Sequence, residues 1–349
     1  MLVFGGGFGT GAFKDTAALE LPTDGSAPFW QGTPPITGIT ARDQAVVHLD
    51  PASSSLYAFG GFGSGGLPSR NTGGVHLADV QRLPLPRPAP AEGAGRLTAP
   101  RPARAWRNAT SLDGATVPLH REASAAASDT AGRRLFVVGG LQGDRSLADV
   151  WVADFAASSA LPTRPSWRQL CSDTSCGPGP AARWGGHAIY DAAQDQLVVY
   201  GGRQSGGTTF GDVWALSLGP SPRWTPLAPE GTVPPPRWGG AVAYDAARRR
   251  MLVWGGQAGA DAVATVDADT WALSLDGPPA WTRLMPEGSP PTPRRSMALP
   301  PARPAAPTNC WCSAATARWA PSTATTSRGC AWTACRAAGR PCRPATARR

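Results

Sequence analysis

Short runs of alternating or β-branched apolar residues, each stopped by glycine, proline or Asp-Ala-Ala, fill most of the chain. The clearest set lies between residues 183 and 227: GGHAIYD after an Arg-Trp pair, then QLVVYGG, DVWALSL and RWTPL. Successive side chains of a strand point to opposite faces. In DVWALSL, Val213, Ala215 and Ser217 therefore share one face, and Trp214, Leu216 and Leu218 the other. Turn residues punctuate every run, so the pattern predicts four short strands.

The set recurs over residues 237–284. Arg183 and Arg237 are 54 residues apart, as are Gly202 and Gly256, and Trp224 and Trp281 are 57 apart. A fixed period near fifty residues marks a repeat architecture, and four strands with a glycine pair after the second suit one propeller blade. Glycine pairs stand at Gly60-Gly61, Gly139-Gly140, Gly201-Gly202 and Gly255-Gly256, with Gly5-Gly6-Gly7 near the start. An Asp precedes the third-strand aromatic in Asp149-Val150-Trp151, Asp212-Val213-Trp214 and Asp269-Thr270-Trp271; Asp79-Val80 is followed instead by Gln81. Fourth-strand tryptophans fall at Trp30, Trp106, Trp167, Trp224 and Trp281.

These glycine pairs and paired tryptophans resemble the kelch repeat over roughly residues 1–299. The resemblance implies an all-β chain, a kelch-type β-propeller of four-stranded antiparallel blades. About five blades are recognisable, at residues 1–30, 42–110, 121–170, 183–227 and 237–284, and RRSMAL at 294–299 opens another. The first begins in a second strand, MLVFGGG, with no first strand before it, which suggests a truncated or misassigned start. Two closures are therefore expected to compete: residues 294–299 pair with 1–7 to complete five blades, or the ring is an incomplete six- or seven-bladed one.

Composition adds little that is specific. Gly 42 and Pro 37 suit many short strands joined by turns, and no run approaches the eighteen or so apolar residues of a membrane span. The net charge of +9 is misleading: residues 301–349 hold eight Arg and no acid, leaving 25 basic and 24 acidic side chains, or +1, in the rest. Nucleic-acid binding is not expected of so neutral a propeller. The stretch PLPRPAPAEGAGRLTAPRP between the third and fourth strands of the second blade reads as an extended surface loop.

From Pro300 onward Val, Ile, Leu, Met, Phe and Tyr vanish, while fourteen Ala and five of the seven Cys appear. Such a segment cannot bury a core and is expected to be a disordered, low-complexity tail at 300–349. The repeat breaks off in mid-unit at the same point, and a shifted reading frame accounts for both. Cys310, Cys312, Cys330, Cys335 and Cys342 lack zinc spacing and a His or acidic partner.

No G-x-S-x-G, P-loop or H-E-x-x-H motif is present. G-x-G-x-x-A at Gly7, Gly9 and Ala12 aligns with the other second-strand ends and lacks the βα alternation of a dinucleotide fold. Copper oxidases with kelch-like propellers offer an enzyme analogy, but their Tyr/His/Cys ligand set is not recognisable: Tyr190 and Tyr244 are equivalent repeat positions, and His187 aligns with Ala241. No cofactor, metal or catalytic residue is expected. The reading favoured is a non-catalytic, monomeric scaffold for a protein partner; the alternative is a carbohydrate-binding or carbohydrate-active (oxidase- or lyase-like) propeller. The second-to-third and fourth-to-first loops emerge on one face and differ most between repeats. They carry Arg145, Arg203, Gln204 and Gln257, and Arg183, Arg237 and Arg294 follow them, expected to ring one mouth of the channel. Arginine suits recognition of acidic groups; a structural role for a repeated residue is the equal alternative. Cys171 and Cys176, five apart in a loop, suit a small disulfide ring in an exported protein, or two free thiols in a cytosolic one. Localisation stays open, leaning to export.

Overall fold

The computed structural model describes residues 42–63, 75–84, 107–110, 117–155, 164–258 and 269–285, together with the backbone of five short strands between residues 2 and 32. The Pro-rich stretch, residues 294–299 and the tail lie outside the described residues.

Three complete blades of four antiparallel strands follow one another, in strand order matching chain order. The first joins Val46–Asp50, Ser55–Phe59, Val80–Pro84 and Arg107–Asn108; the second Ala125–Asp129, Arg134–Gln142, Arg145–Asp154 and Ser166–Cys171; the third His187–Asp191, Gln196–Tyr200, Val213–Ser217 and Arg223–Leu227. A fourth blade joins Ala241–Asp245, Arg250–Trp254, Thr270–Ser274 and Ala280–Leu284, and carries one extra edge pairing that is parallel, Glu230–Gly231 against Ala280–Trp281. That pairing departs from the antiparallel expectation because it belongs to the connection between blades, not to a blade. At the N-terminus Leu2–Phe4, Thr16–Glu20 and Phe29–Gly32 form a three-stranded antiparallel sheet. These blades give an all-β propeller fold.

First strands of successive blades lie beside one another, 46–50 against 125–129, 125–129 against 187–191, and 187–191 against 241–245, so the first strand of each blade is the innermost. The core lies between blades rather than within them. Strand alternation sends Leu135 and Val137 into a cluster with Tyr57, Phe59 and Trp167, while Phe136 and Val138 face Ala188, Leu197 and Trp224 in the next. A third cluster packs Ile189, Val198 and Tyr200 against Met251, Val253 and Trp281. The fourth-strand tryptophans Trp167, Trp224 and Trp281 thus close the outer end of each interblade core. A blade with no neighbour would expose this surface, which explains why the unit repeats.

Candidate interaction face

Each blade begins with an arginine that sits 18 residues before the first glycine of its pair and donates Nη1 to that glycine's carbonyl. The four bonds are Arg42 to Gly60, Arg121 to Gly139, Arg183 to Gly201 and Arg237 to Gly255, at 3.0–3.1 Å. The same guanidinium forks onto the Asp that opens the third strand, in Arg42–Asp79, Arg121–Asp149, Arg183–Asp212 and Arg237–Asp269. The second carboxylate oxygen also accepts from the side chain two residues on, the indole of Trp151, Trp214 or Trp271. In the blade that departs from the sequence pattern, the Gln81 amide takes the indole's place, at 2.6 Å from Asp79 Oδ2. Burial opposes ionisation of Asp79, Asp212 and Asp269, but the bonds and charge of Arg42, Arg183 and Arg237 outweigh it and hold these carboxyls below the usual range.

The arginine backbone reaches the preceding blade. Gly61, Gly140 and Gly202 donate to the carbonyls of Arg121, Arg183 and Arg237 at 2.8–2.9 Å. Two residues further on, a chain of N–H to carbonyl bonds runs from blade to blade: Ala123 to Gln44, Gly185 to Ala123 and Gly239 to Gly185. These four residues all hold positive φ, between 51° and 71°. Arg183 and Arg237, expected to line a channel mouth, are instead buried and engaged as clamps, with Arg42 and Arg121 completing the set. Arg294 lies outside the described residues.

Beyond the clamp, the residue after each arginine pairs with the residues after each glycine pair: Arg42–Asp43 with Phe62–Gly63, Glu122 with Leu141, Trp184 with Arg203, and Arg237–Trp238 with Gln257–Ala258. This rim carries side chains that differ from blade to blade. Arg203 exchanges two backbone bonds with Trp184, and its guanidinium lies 5.8 Å from the Trp238 ring; Trp184 and Trp238 meet edge to face at 4.7 Å across the blade boundary. Gln204 closes a short hairpin with Gly207 and Thr208. Gln257 is buried and so offers no free side chain. Arg145 is exposed, 3.6 Å from Asp173. The structure therefore brings Arg203 and Gln204 together with Trp184 and Trp238, sets Arg145 apart, and turns Gln257 inward. The two rim tryptophans were not singled out from sequence; their signal is the Arg-Trp dipeptide at 183–184 and 237–238.

His187 and His48 are buried on first strands. Burial lowers both to about 4, so they are neutral at physiological pH. His187 Nδ1 faces the Tyr200 carbonyl at 3.4 Å, and His48 Nδ1 faces Ser128 Oγ at 3.1 Å. Tyr190 and Tyr244, the aromatic hydroxyls nearest the copper-oxidase analogy, donate to Asp195 and Asp191. Among the described residues no three His, Cys, Asp or Glu side chains gather as a metal site. A disulfide joins Cys171 to Cys176. No described helix is long and apolar enough to cross a membrane.

Comparison with known proteins agrees with this geometry. The family model for the KLHDC2/KLHL20/DRC7 Kelch-repeats domain matches residues 163–300. The serine/threonine-protein phosphatase BSL2 of Arabidopsis thaliana is 34% identical over 97 residues, 28% of this chain and 9% of that protein. An F-box/kelch-repeat protein of the same plant is 29% identical over 152 residues, 42% of this chain and 30% of its own. The chain thus spans less than a third of either relative's length. The family model thus makes residues 163–300 a kelch-repeat region, and the glycine pairs and arginine clamps of the two preceding blades repeat the same pattern.

Proposed function

We propose that the chain is a non-catalytic protein-interaction module that engages its partner through the rim carrying Arg203, Gln204 and Trp184, with Trp238 buried beneath them as their support. Kelch repeats generally mediate protein–protein interaction. The observation that carries the reading to this rim is the contrast between the clamps and what surrounds them. Arg, Gly and Asp recur in four blades, while the paired rim positions change from Asp43 and Glu122 to Trp184 and Trp238. A face that varies on an unvarying support is where recognition is grafted. Tryptophan and arginine are the residue types that dominate binding energy at such faces. The phosphatase match spans 9% of that protein, so its activity is not carried over.

The test is affinity capture from the source cell with tagged chain, comparing wild type with an Arg203→Ala/Gln204→Ala pair. Loss of a captured partner at unchanged melting temperature supports the reading. Undiminished capture by the pair rejects this rim as the contact.

A further inference from the structure

The two described connections between outer and inner strands of successive blades are secured by different means. After Arg223–Leu227, the chain crosses the outer edge of the next blade as a strand: Glu230 donates to the Pro279 carbonyl at 2.9 Å, and Glu230–Gly231 pairs in parallel with Ala280–Trp281. After Ser166–Cys171, the chain crosses at the equivalent tryptophan, Trp224, whose N–H donates to the Cys176 carbonyl at 3.1 Å. No strand pairing is made there. Instead Cys176 is tied back to Cys171, the last residue of the outer strand just left. Both half-cystines are buried in the interblade cluster with Trp224, whereas the ring residues between them, Ser172 to Ser175, are exposed. Gly179 then lies so close to the indole that a Cβ there would sit 2.6 Å from Trp224 Cδ1. The strap covers this tryptophan directly.

We propose that the Cys171–Cys176 disulfide is a redox-sensitive latch that holds residues 172–182 across the outer edge of the neighbouring blade in place of a strand pair. A dithiol opens it in two exchanges. A dithiol thiolate attacks one sulfur and releases the other as a thiolate, which takes up a proton; the second dithiol sulfur then displaces the protein sulfur. Two electrons pass to the protein, Cys171 and Cys176 end as thiols, and the reagent ends as its own disulfide. Because both sulfurs are buried, exchange proceeds through openings of the strap itself. With the short loop no longer closed, the open strap regains chain entropy. It then leaves Trp224, while the arginine clamp at Arg183 and the inner strands remain.

Amide hydrogen exchange on the full chain tests this in two preparations: wild type folded and then treated with dithiothreitol, and a Cys171→Ala/Cys176→Ala variant that keeps the buried positions apolar. Thiol alkylation and mass establish reduction in the first. Exchange across residues 172–182 and at the Trp224 amide is expected to rise on the order of tenfold or more, with His187–Asp191 and Ala241–Asp245 unchanged. Equal protection with and without the bond overturns the latch. So does a uniform rise over all described blades, because the bond would then support the whole propeller rather than one strap.

Discussion

Arg121 meets Asp149 through two parallel hydrogen bonds, Nη1 to Oδ1 at 2.6 Å and Nη2 to Oδ2 at 2.9 Å, with the arginine side chain 1% exposed. The same Nη1 also reaches the Gly139 carbonyl. Removing one partner leaves a buried carboxylate and a buried carbonyl without their donor. Arg121→Met is therefore expected to lower stability by about 3 kcal/mol or more, read by chemical denaturation. Arg183→Met should cost less, because Asp212 is 40% exposed and water can replace part of what is lost. Equal loss at both would argue against burial as the deciding factor.

Gln81 stands where three blades place an indole, and its amide keeps the bond to the Asp carboxylate. Gln81→Leu should cost about 1.5–3 kcal/mol, the range for a hydrogen bond to a charged group. Gln81→Glu should cost more, since it sets a second negative charge on Asp79. A Leu variant as stable as wild type would show that the Asp79 fork to Arg42 suffices alone.

Acid should weaken the propeller in two stages. His48 and His187 titrate near 4 in the folded chain against 6.5 for the free side chain, so the unfolded chain binds more protons between those values. Their contribution is full above about pH 6.5 and falls as the pH drops towards 4, by a few kcal/mol for the pair. Below that, the carboxyls of Asp50, Asp79, Asp191, Asp212, Asp245 and Asp269, all depressed in the fold, lose their share in turn. Melting scans at pH 7 and pH 5 should show a clear fall in wild type and a smaller one in His187→Gln.

Two glycines at nearly the same φ separate crowding from strain. Gly139, at φ 57°, would place a Cβ 2.5 Å from the Arg183 carbonyl oxygen and 2.7 Å from that of Leu147. Gly143, at φ 58°, would meet nothing within 4 Å. Gly143→Ala should cost about 1 kcal/mol, the left-handed penalty alone. Gly139→Ala should cost several times that, because two blades must part to admit the methyl. Ala123, already at φ 51° where the next blades have Gly185 and Gly239, should accept glycine at no cost or with a small gain.

Much of the blade was legible in the sequence because its signals are local. A glycine pair needs positive φ, an Asp-Val-Trp run alternates on a strand, and both recur at one spacing. The clamp was harder to read. Arg183 lies 29 residues from Asp212, and Arg121 lies 28 from Asp149, whereas Arg42 lies 37 from Asp79. The varying loop between glycine and Asp hides the partnership, although each arginine keeps a constant 18 residues to its glycine. A repeated arginine therefore reads equally as recognition or as structure until the strand order places its carboxylate. The outer strands are also weakly marked in the sequence. Edge strands make one set of ladder bonds, so little beyond the tryptophan marks them.

The left-handed residue before each second strand has one further effect. Arg133 donates to Asp50 of the preceding blade, and Arg249 donates to Asp191. Between them the sign is reversed: that position is Asp195, faced by Arg134 of the preceding blade, which also holds Asp129. Blades of such similar sequence could in principle stack out of turn during folding, one skipped and its successor taking its seat. Omitting the blade that starts at Ala125 would set Asp195 against Asp50. Omitting the one that starts at His187 would bring Arg249 up to Asp129, an acid of the kind it already holds, beside Arg134. The first mistake meets like charge, so the reversed polarity at Asp195 disfavours the misordering that skips the blade starting at Ala125.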